Sequence, residues 1–184
     1  MTWPIGFAPY SNQPTTEAED VRTSTLTDLF QKTTKQANEP SLKRSCGELG
    51  VTQESVEFYS GPVGDGMSYE GSILDGRPHG KGTLTFLNGD IFVGMFKEGS
   101  FHGEGVFYYE IGDTYEGGFK NGFREGFGTL KYFDGTSYTG NYKAGKRDGW
   151  GILKTVNGDA YIGEFKDGNF HGEGDLNFAA ASHH

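Results

Sequence analysis

The chain is short of cysteine, of basic charge and of long apolar runs, and each shortage removes a class of protein. One cysteine, Cys46, among 184 residues can build neither a disulfide framework nor a cysteine-rich zinc site. No stretch approaches the ~18 consecutive apolar residues of a membrane-spanning helix, and the N-terminus lacks the basic region and apolar core of a secretory leader. No Asn-x-Ser/Thr acceptor occurs. Together these absences predict a reducing, cytosol-facing setting. Basic residues number 16 against 25 acidic ones, for a formal net charge of −9. The chain therefore lacks the Lys/Arg surface that displaces counterions from nucleic acid, and no nucleic-acid partner is expected. Simple adsorption to anionic lipid is disfavoured on the same ground.

Catalytic signatures are missing too. The Gly-x-Gly pairs Gly80/Gly82, Gly103/Gly105, Gly126/Gly128, Gly149/Gly151 and Gly172/Gly174 lack the third glycine and following helix of a dinucleotide fingerprint. Neither a P-loop nor a Gly-x-Ser-x-Gly elbow is present, and no Asp-x-Asp-x-Asp-Gly loop for calcium. The expectation is a chain that is not an enzyme and carries no cofactor and no metal.

What the chain has in excess is glycine, 31 residues, and aromatics at 15%, although its hydrophobic content is only 34%. Average proteins hold roughly 7% glycine. Five segments beginning at Tyr69, Phe92, Tyr115, Tyr138 and Tyr161 align without a gap at a period of 23 residues. The shared pattern is aromatic-x-Gly-x-aromatic-x-x-Gly, three residues, then Gly-x-Gly-x-apolar-x-aromatic and a glycine-containing turn. Such a period marks a repeat architecture.

Strand alternation gives each position a place. Tyr115, Gly117 and Phe119 share one face of a strand, and Gly126, Gly128, Leu130 and Tyr132 share one face of the next. Within the repeats, Asp75-Gly76, Glu98-Gly99, Asn121-Gly122, Ala144-Gly145 and Asp167-Gly168 call for a residue that tolerates positive φ. Between repeats, Asn88-Gly89, Asp134-Gly135 and Asn157-Gly158 are stronger hairpin signals. Connections this short demand antiparallel neighbours. The predicted fold is mostly β, a single-layer, twisted antiparallel meander with one hairpin per repeat. Its ten repeat strands at ~4.8 Å spacing extend on the order of 48 Å.

Glycine weakens a strand unless something uses the space it leaves. A ring from a neighbouring strand can lie flat over the missing Cβ, which predicts an aromatic ladder of Tyr69, Phe92, Tyr115, Tyr138 and Tyr161. A second rung comprises Ile73, Phe96, Phe119, Tyr142 and Phe165, and a third comprises Leu84, Phe107, Leu130, Leu153 and Leu176. These residues are expected to be structural.

The pattern Tyr-x-Gly-x-aromatic-x-x-Gly-x-x-x-Gly-x-Gly, met at Tyr115, Gly117, Phe119, Gly122, Gly126 and Gly128, resembles the MORN repeat. The resemblance covers residues 69–178 in five consecutive copies, with Phe92, Ile73 and Thr155 as mild departures. It implies a twisted antiparallel sheet with a groove and a noncatalytic scaffold or adaptor that binds protein partners, in cytoskeletal, ciliary or membrane-associated assemblies. The implied location is cytoplasmic, with a cytoskeletal or ciliary association.

The flanks obey other rules. A half-repeat over 56–68 is expected to add an edge strand, because Val63-Gly64-Asp65-Gly66 stands 23 residues before Phe86-Leu87-Asn88-Gly89. Pro62 suits an edge. Residues 1–20, with Pro4, Pro9 and Pro14, read as an extended or disordered arm. Residues 21–55 read as a helical extension: Thr25-Leu26-Thr27-Asp28 resembles a capping box, and Leu26, Leu29, Phe30 and Ala37 share one helical face that ends before Pro40. A second helix after Ser41 would group Leu42, Cys46 and Leu49, against the objection of Gly47. Residues 179–184 resemble a tag-derived tail, beyond which the array would be free to continue.

Two sets of side chains invite function. His79, His102 and His171 recur at one register, with Glu125 and Asp148 there in the other copies. Equivalent positions lie two strands apart, ~9.6 Å, too far to share a zinc whose ligands stand at roughly 2 Å. A polar residue closing the intra-repeat loop is the expected role. Opposite the ladder, Met95, Val106, Tyr108, Phe127, Phe133, Trp150, Ile152 and Ile162 would form apolar surface. A single sheet cannot bury both faces with itself, so this side is covered by the N-terminal helices or by a partner. Met95, Tyr108, Phe127, Phe133, Trp150 and Ile152 are the candidate partner-binding residues, with Phe127 and Trp150 as neighbouring anchors. The recurring Lys97, Lys120, Lys143 and Lys166 suggest the alternative, a peripheral membrane module for phosphoinositide lipid, which interleaved Glu98, Glu164 and Asp167 weaken.

Overall fold

A computed structural model describes residues 56–63 and 65–179. They form one sheet of eleven strands: β1 (Glu57–Pro62), β2 (Ser68–Leu74), β3 (Arg77–Thr85), β4 (Ile91–Lys97), β5 (Ser100–Tyr108), β6 (Thr114–Lys120), β7 (Phe123–Lys131), β8 (Ser137–Lys143), β9 (Lys146–Lys154), β10 (Ala160–Lys166) and β11 (Asn169–Asn177). Spatial order equals chain order, and every adjacent pair whose register is given runs antiparallel. The expected half-repeat strand is β1, paired with β2 from Glu57↔Ile73 to Pro62↔Ser68. The predicted arm, helices and residues 180–184 lie outside the described residues.

Two kinds of turn alternate along the meander. Within each repeat both central residues take positive φ, as in Asn121 at 51° and Gly122 at 86°, or Ala144 at 47° and Gly145 at 83°. This is the primed two-residue turn that matches strand twist. Between full repeats only the glycine is left-handed: Gly89 at 94° donates its N–H to Phe86 at 3.1 Å, while Phe86 N–H donates to Asp90 at 2.9 Å. That is a three-residue loop, a type I turn closed by a glycine bulge. The stronger Asn-Gly signals thus mark the longer turns, whose residue before glycine is not left-handed, and Ile111 can therefore stand there. Of the six non-glycine residues at positive φ, five stand in the intra-repeat turns and the sixth, Asp65 at 43°, in the turn from β1 to β2. Replacing Ala144 by Asn, which visits left-handed geometry more readily, is expected to stabilise the array by about 0.5–1 kcal/mol, read as a rise in the thermal midpoint of a few degrees.

A β-bulge interrupts each hairpin after its first conserved glycine, for example between Gly117 and Phe119 or Gly140 and Tyr142. The leading tyrosine hydroxyl donates to the carbonyl there: Tyr69 to Ser72 at 2.7 Å, Tyr115 to Gly118 at 3.0 Å and Tyr138 to Asn141 at 3.0 Å. The ring reaches that carbonyl by lying over glycine. A Cβ at Gly82, Gly128 or Gly151 would overlap the phenolic end of Tyr69, Tyr115 or Tyr138, with Cζ at 2.6–2.7 Å.

The two rings of each repeat and those of the next then interlock. Tyr69, Phe96, Phe92, Phe119, Tyr115, Tyr142, Tyr138, Phe165 and Tyr161 form one zigzag of edge-to-face contacts, from 4.9 Å for Tyr138–Phe165 to 5.4 Å for Tyr161–Phe165. Each such pair adds about 0.5–1.5 kcal/mol beyond its buried area. All nine rings are buried, and with them Ile73, Leu84, Phe107, Leu130 and Leu153.

Candidate functional site

Because the ladder residues are consumed by packing, surface for recognition has to come from the other face. Strand pairing sets that face out in rows. One row runs Phe127↔Asn141 across β7 and β8 and Trp150↔Glu164 across β9 and β10, with Asn141 Nδ2 donating to the Trp150 carbonyl at 3.2 Å. The next row runs Thr129↔Thr139↔Ile152↔Ile162, and Thr129 and Thr139 share a hydroxyl hydrogen bond of 3.1 Å. Phe127 is 64% exposed and Trp150 55% exposed. The two rings flank Asn141, held by backbone rather than by one another.

Ile152 is half-buried between Thr139 and Ile162 and supports the Trp150 side of this patch. Met95 and Tyr108 are exposed on β4 and β5, where Val93 pairs with Val106 and Ile91 with Tyr108. Glu116 and Gly118 of β6 stand between these and the Phe127 patch. The candidates therefore form two apolar patches instead of one continuous surface. Phe133 belongs to neither. It sits in the turn between β7 and β8, 80% exposed and close to where a Cβ on Gly112 would be, with its N–H donated to Asp113 at 2.8 Å. The reading that put it on the face opposite the ladder is corrected: its residue falls in the three-residue turn, where strand alternation no longer applies.

The histidine register also behaves differently from expectation. Its two acidic members reach the intra-repeat loop of the following repeat, Glu125 Oε2 accepting from Ala144 N–H at 2.9 Å and Asp148 Oδ2 from Asp167 N–H at 3.5 Å, whereas His102 Nδ1 is buried without a hydrogen-bond partner. Asp148 also pairs with Lys166 at 3.1 Å. The hydrogen bond from Lys166 lowers the Asp148 carboxyl below its ordinary value and raises the lysine correspondingly. Among the described residues no group of three or more His, Cys, Asp or Glu is placed to hold a metal ion.

Two sets of residues escaped the sequence reading. Arg124 and Arg147 are buried on the ladder face, each opposite a second-rung ring, Phe119↔Arg124 and Tyr142↔Arg147. The Arg124 guanidinium lies 5.5 Å from the Tyr115 ring and 5.2 Å from Tyr142, and Arg147 lies 5.5 Å from Tyr138 and 5.4 Å from Phe165. In other copies the position is Phe101, stacked on Phe92 at 4.0 Å, or Phe170, on Tyr161 at 4.3 Å. One flat group substitutes for another, the guanidinium adding attraction to the ring face. The second set is Asp90, Asp113 and Asp159, whose Oδ1 atoms accept the N–H of Glu110, Phe133 and Ala179 at 2.8–2.9 Å. Asp90 and Asp113 thereby staple their turns to the turn of the next repeat, and Asp159 ties its turn to the residues that follow β11.

Lys97, Lys120, Lys143 and Lys166 are all exposed in one register. Lys166, the last of the row, is matched by Asp148, and nearby Lys146 meets Asp167 at 3.5 Å, so acid offsets the row at that end. No helix among the described residues is long and apolar enough to cross a membrane.

With this geometry in place, comparison with known proteins is direct. The sequence model of the family described as MORN repeat matches five consecutive segments, 69–91, 92–114, 115–137, 138–160 and 161–179. No curated protein matches the chain. Among solved structures, the TCP domain of SAS-4 (dCPAP) of Drosophila melanogaster, in complex with a proline-rich motif of Ana2 (dSTIL), is similar at 18% identity and a TM-score of 0.34. That match covers 67% of this chain and 61% of the SAS-4 chain, so this chain spans less than two thirds of its length.

Proposed function

The chain belongs to the MORN-repeat family, and from that membership we propose that it is a noncatalytic scaffold or adaptor whose sheet holds a partner protein. The observation that supports this reading is the pair Phe127 and Trp150, two large rings left more than half exposed in adjacent repeats on a face that the fold does not use for its own packing. Aromatic side chains fixed on rigid strands lose little freedom on binding and are the usual anchors of an interface. Asn141 and Glu164, beside them, supply polar contacts for orientation. A cytoplasmic, cytoskeletal or ciliary assembly is the setting that family membership favours.

Replacing Phe127 and Trp150 together by Ala is expected to weaken partner capture at least ~10-fold while leaving strand circular dichroism and the melting midpoint unchanged. Quantitative pull-down with wild type and variant in parallel measures it; a midpoint that collapses with capture would show the rings to be core. The phosphoinositide alternative rests on the exposed lysine row. It predicts flotation with vesicles containing phosphoinositide and its loss when Lys97, Lys120 and Lys143 become Gln. Failure to float at low salt removes it.

A further inference from the structure

Repeats three and four share a surface motif that the other copies lack. Strand β7 presents Phe127, Thr129 and Lys131 outward in turn, and β9 presents Trp150, Ile152 and Lys154. Register sets these two columns side by side across β8: Phe127 beside Asn141, then Thr129↔Thr139↔Ile152, then Lys131↔Ser137↔Lys154. Each column runs from an exposed ring through a half-buried middle residue to an exposed lysine, about 13 Å over four residues of strand. The columns stand two strands apart, ~9.6 Å. At the same positions β5 carries Glu104, Val106 and Tyr108, and β11 carries Glu173, Asp175 and Asn177.

Charge around the columns is sorted. Lys131 and Lys154 have only Thr114, Ser137 and Ala160 as cross-strand neighbours, and among the described residues neither forms an ion pair. At the opposite rim Lys120 and Lys143 share the turn region with Glu125 and Asp148, so the unmatched positive rim is the Lys131–Lys154 one. Carboxylates close the two ends: exposed Glu116 on β6 and half-buried Glu164 on β10, four strand spacings or ~19 Å apart.

We propose that the partner segment held here is an acidic amphipathic helix lying across the strands, an inference that rests on the reading of Phe127 and Trp150 as anchors. Its apolar stripe covers Phe127, Trp150 and Ile152, and acidic residues seven apart on one flank meet Lys131 and Lys154. Seven residues of helix advance ~10.5 Å, close to the ~9.6 Å between the columns. An extended segment repeats each face at ~6.7 Å or ~13 Å and matches neither. Eleven residues of helix span ~16 Å and fit between Glu116 and Glu164. A flat anionic membrane would instead press on Glu104, Glu116 and Glu173, all exposed on this face, with like charge.

The probe is a stapled 12-residue helical peptide with a leucine stripe and two glutamates seven positions apart beside it, titrated into the isotope-labelled full chain and followed by NMR. Shifts are expected at Lys131, Trp150, Ile152 and Lys154. Exchanging both glutamates for glutamine is expected to weaken binding about 3–10-fold at low salt. Lys131→Gln with Lys154→Gln is expected to abolish that preference while the glutamine peptide binds as before. Phe127→Ala with Trp150→Ala is expected to lose both peptides, so the two readings fail separately. Partner capture that needs the rings but not the lysines leaves the anchor reading standing and overturns the acidic helix. Equal binding of the two peptides, no shift at the two columns, or tighter binding of these columns to phosphoinositide vesicles than to the peptide would overturn it too. So would Trp150 signals that move on dilution without peptide, because the face would then belong to a second copy.

Discussion

Valine in place of Gly128 is expected to cost the array about 3 kcal/mol or more, a large share of the ~5–15 kcal/mol that holds a domain folded. A Cβ at this position would overlap the Tyr115 hydroxyl and stand 2.6 Å from Cζ and 2.7 Å from Cε2. The ring has nowhere to retreat. Phe119 and Tyr142 each meet it edge-to-face at 5.1 Å, Arg124 lies over it, and its hydroxyl is bonded to Gly118. Overpacking alone costs about 1–3 kcal/mol, and displacing the ring also forfeits aromatic contacts and a hydrogen bond worth about 1 kcal/mol each. The control sits two residues away. Gly126 has nothing within 4 Å of a Cβ and a φ of 76°, so Gly126→Ala should cost only the left-handed strain of about 1–2 kcal/mol. Urea midpoints of the two variants separate the causes. Equal losses would mean that glycine is needed in this strand for backbone geometry and that the ladder is incidental.

The ladder was legible because each of its members repeats in type as well as in position. The period placed the rings, alternation placed the glycines beneath them, and only stereochemistry was needed to join the two. Arg124 and Arg147 were not seen because Pro78, Phe101, Arg124, Arg147 and Phe170 share a position and no chemical class. The signal was nonetheless present. A two-residue primed turn at Asn121-Gly122 pairs Lys120 with Phe123, hence Phe119 with Arg124, and a residue opposite a buried ring has to cover it. The aspartate staples had no such trace, since Asp113 reaches the neighbouring turn through loop geometry that a strand pattern does not describe. Phe133 was misplaced for the same reason.

On the candidate face, legibility ran out where the copies differ. Phe127 and Trp150 were expected to be neighbours because both fill the gap of Gly-x-Gly; in the sheet they stand on β7 and β9, with Asn141 of β8 between them. That Met95 and Tyr108 form a separate patch depends on Glu116 and Gly118 of the intervening strand, a polar and a side-chain-less residue at positions where the apolar residues alone were counted. Repetition announces packing, and departures from repetition carry the surface.

Stability of the array is expected to be level from pH 8 to 10 and to fall steeply above it. Burial pushes the Tyr138 hydroxyl up to about 12 and raises Tyr69, Tyr115, Tyr142 and Tyr161 above the ordinary value of 10 as well. An unfolded chain releases these protons near pH 10, while the folded chain retains them. Above pH 10 the unfolded state therefore binds fewer protons, and linkage makes folding less favourable with each rise in pH. The contribution is intact below 10 and is lost as pH climbs toward the folded-state values. One unit above 10, a tyrosine still fully protonated in the fold has lost about 1.4 kcal/mol. The four more deeply buried hydroxyls, Tyr69, Tyr115, Tyr138 and Tyr142, together lose on the order of 3–5 kcal/mol once solvent screening is allowed for, a large share of the stability of a domain. Tyr138→Phe isolates one of them. It gives up the hydrogen bond to Asn141, about 1 kcal/mol at pH 8, but keeps the ring, as Phe92 does at the equivalent position. Its stability should start below wild type, decline less steeply, and meet the wild-type curve near pH 11. Urea midpoints every half unit from pH 8 to 11.5, with tyrosinate absorbance recorded on the same samples, test both curves. A wild-type stability still level at pH 11 would show that these hydroxyls reach solvent and that the ladder is looser than its ring distances indicate.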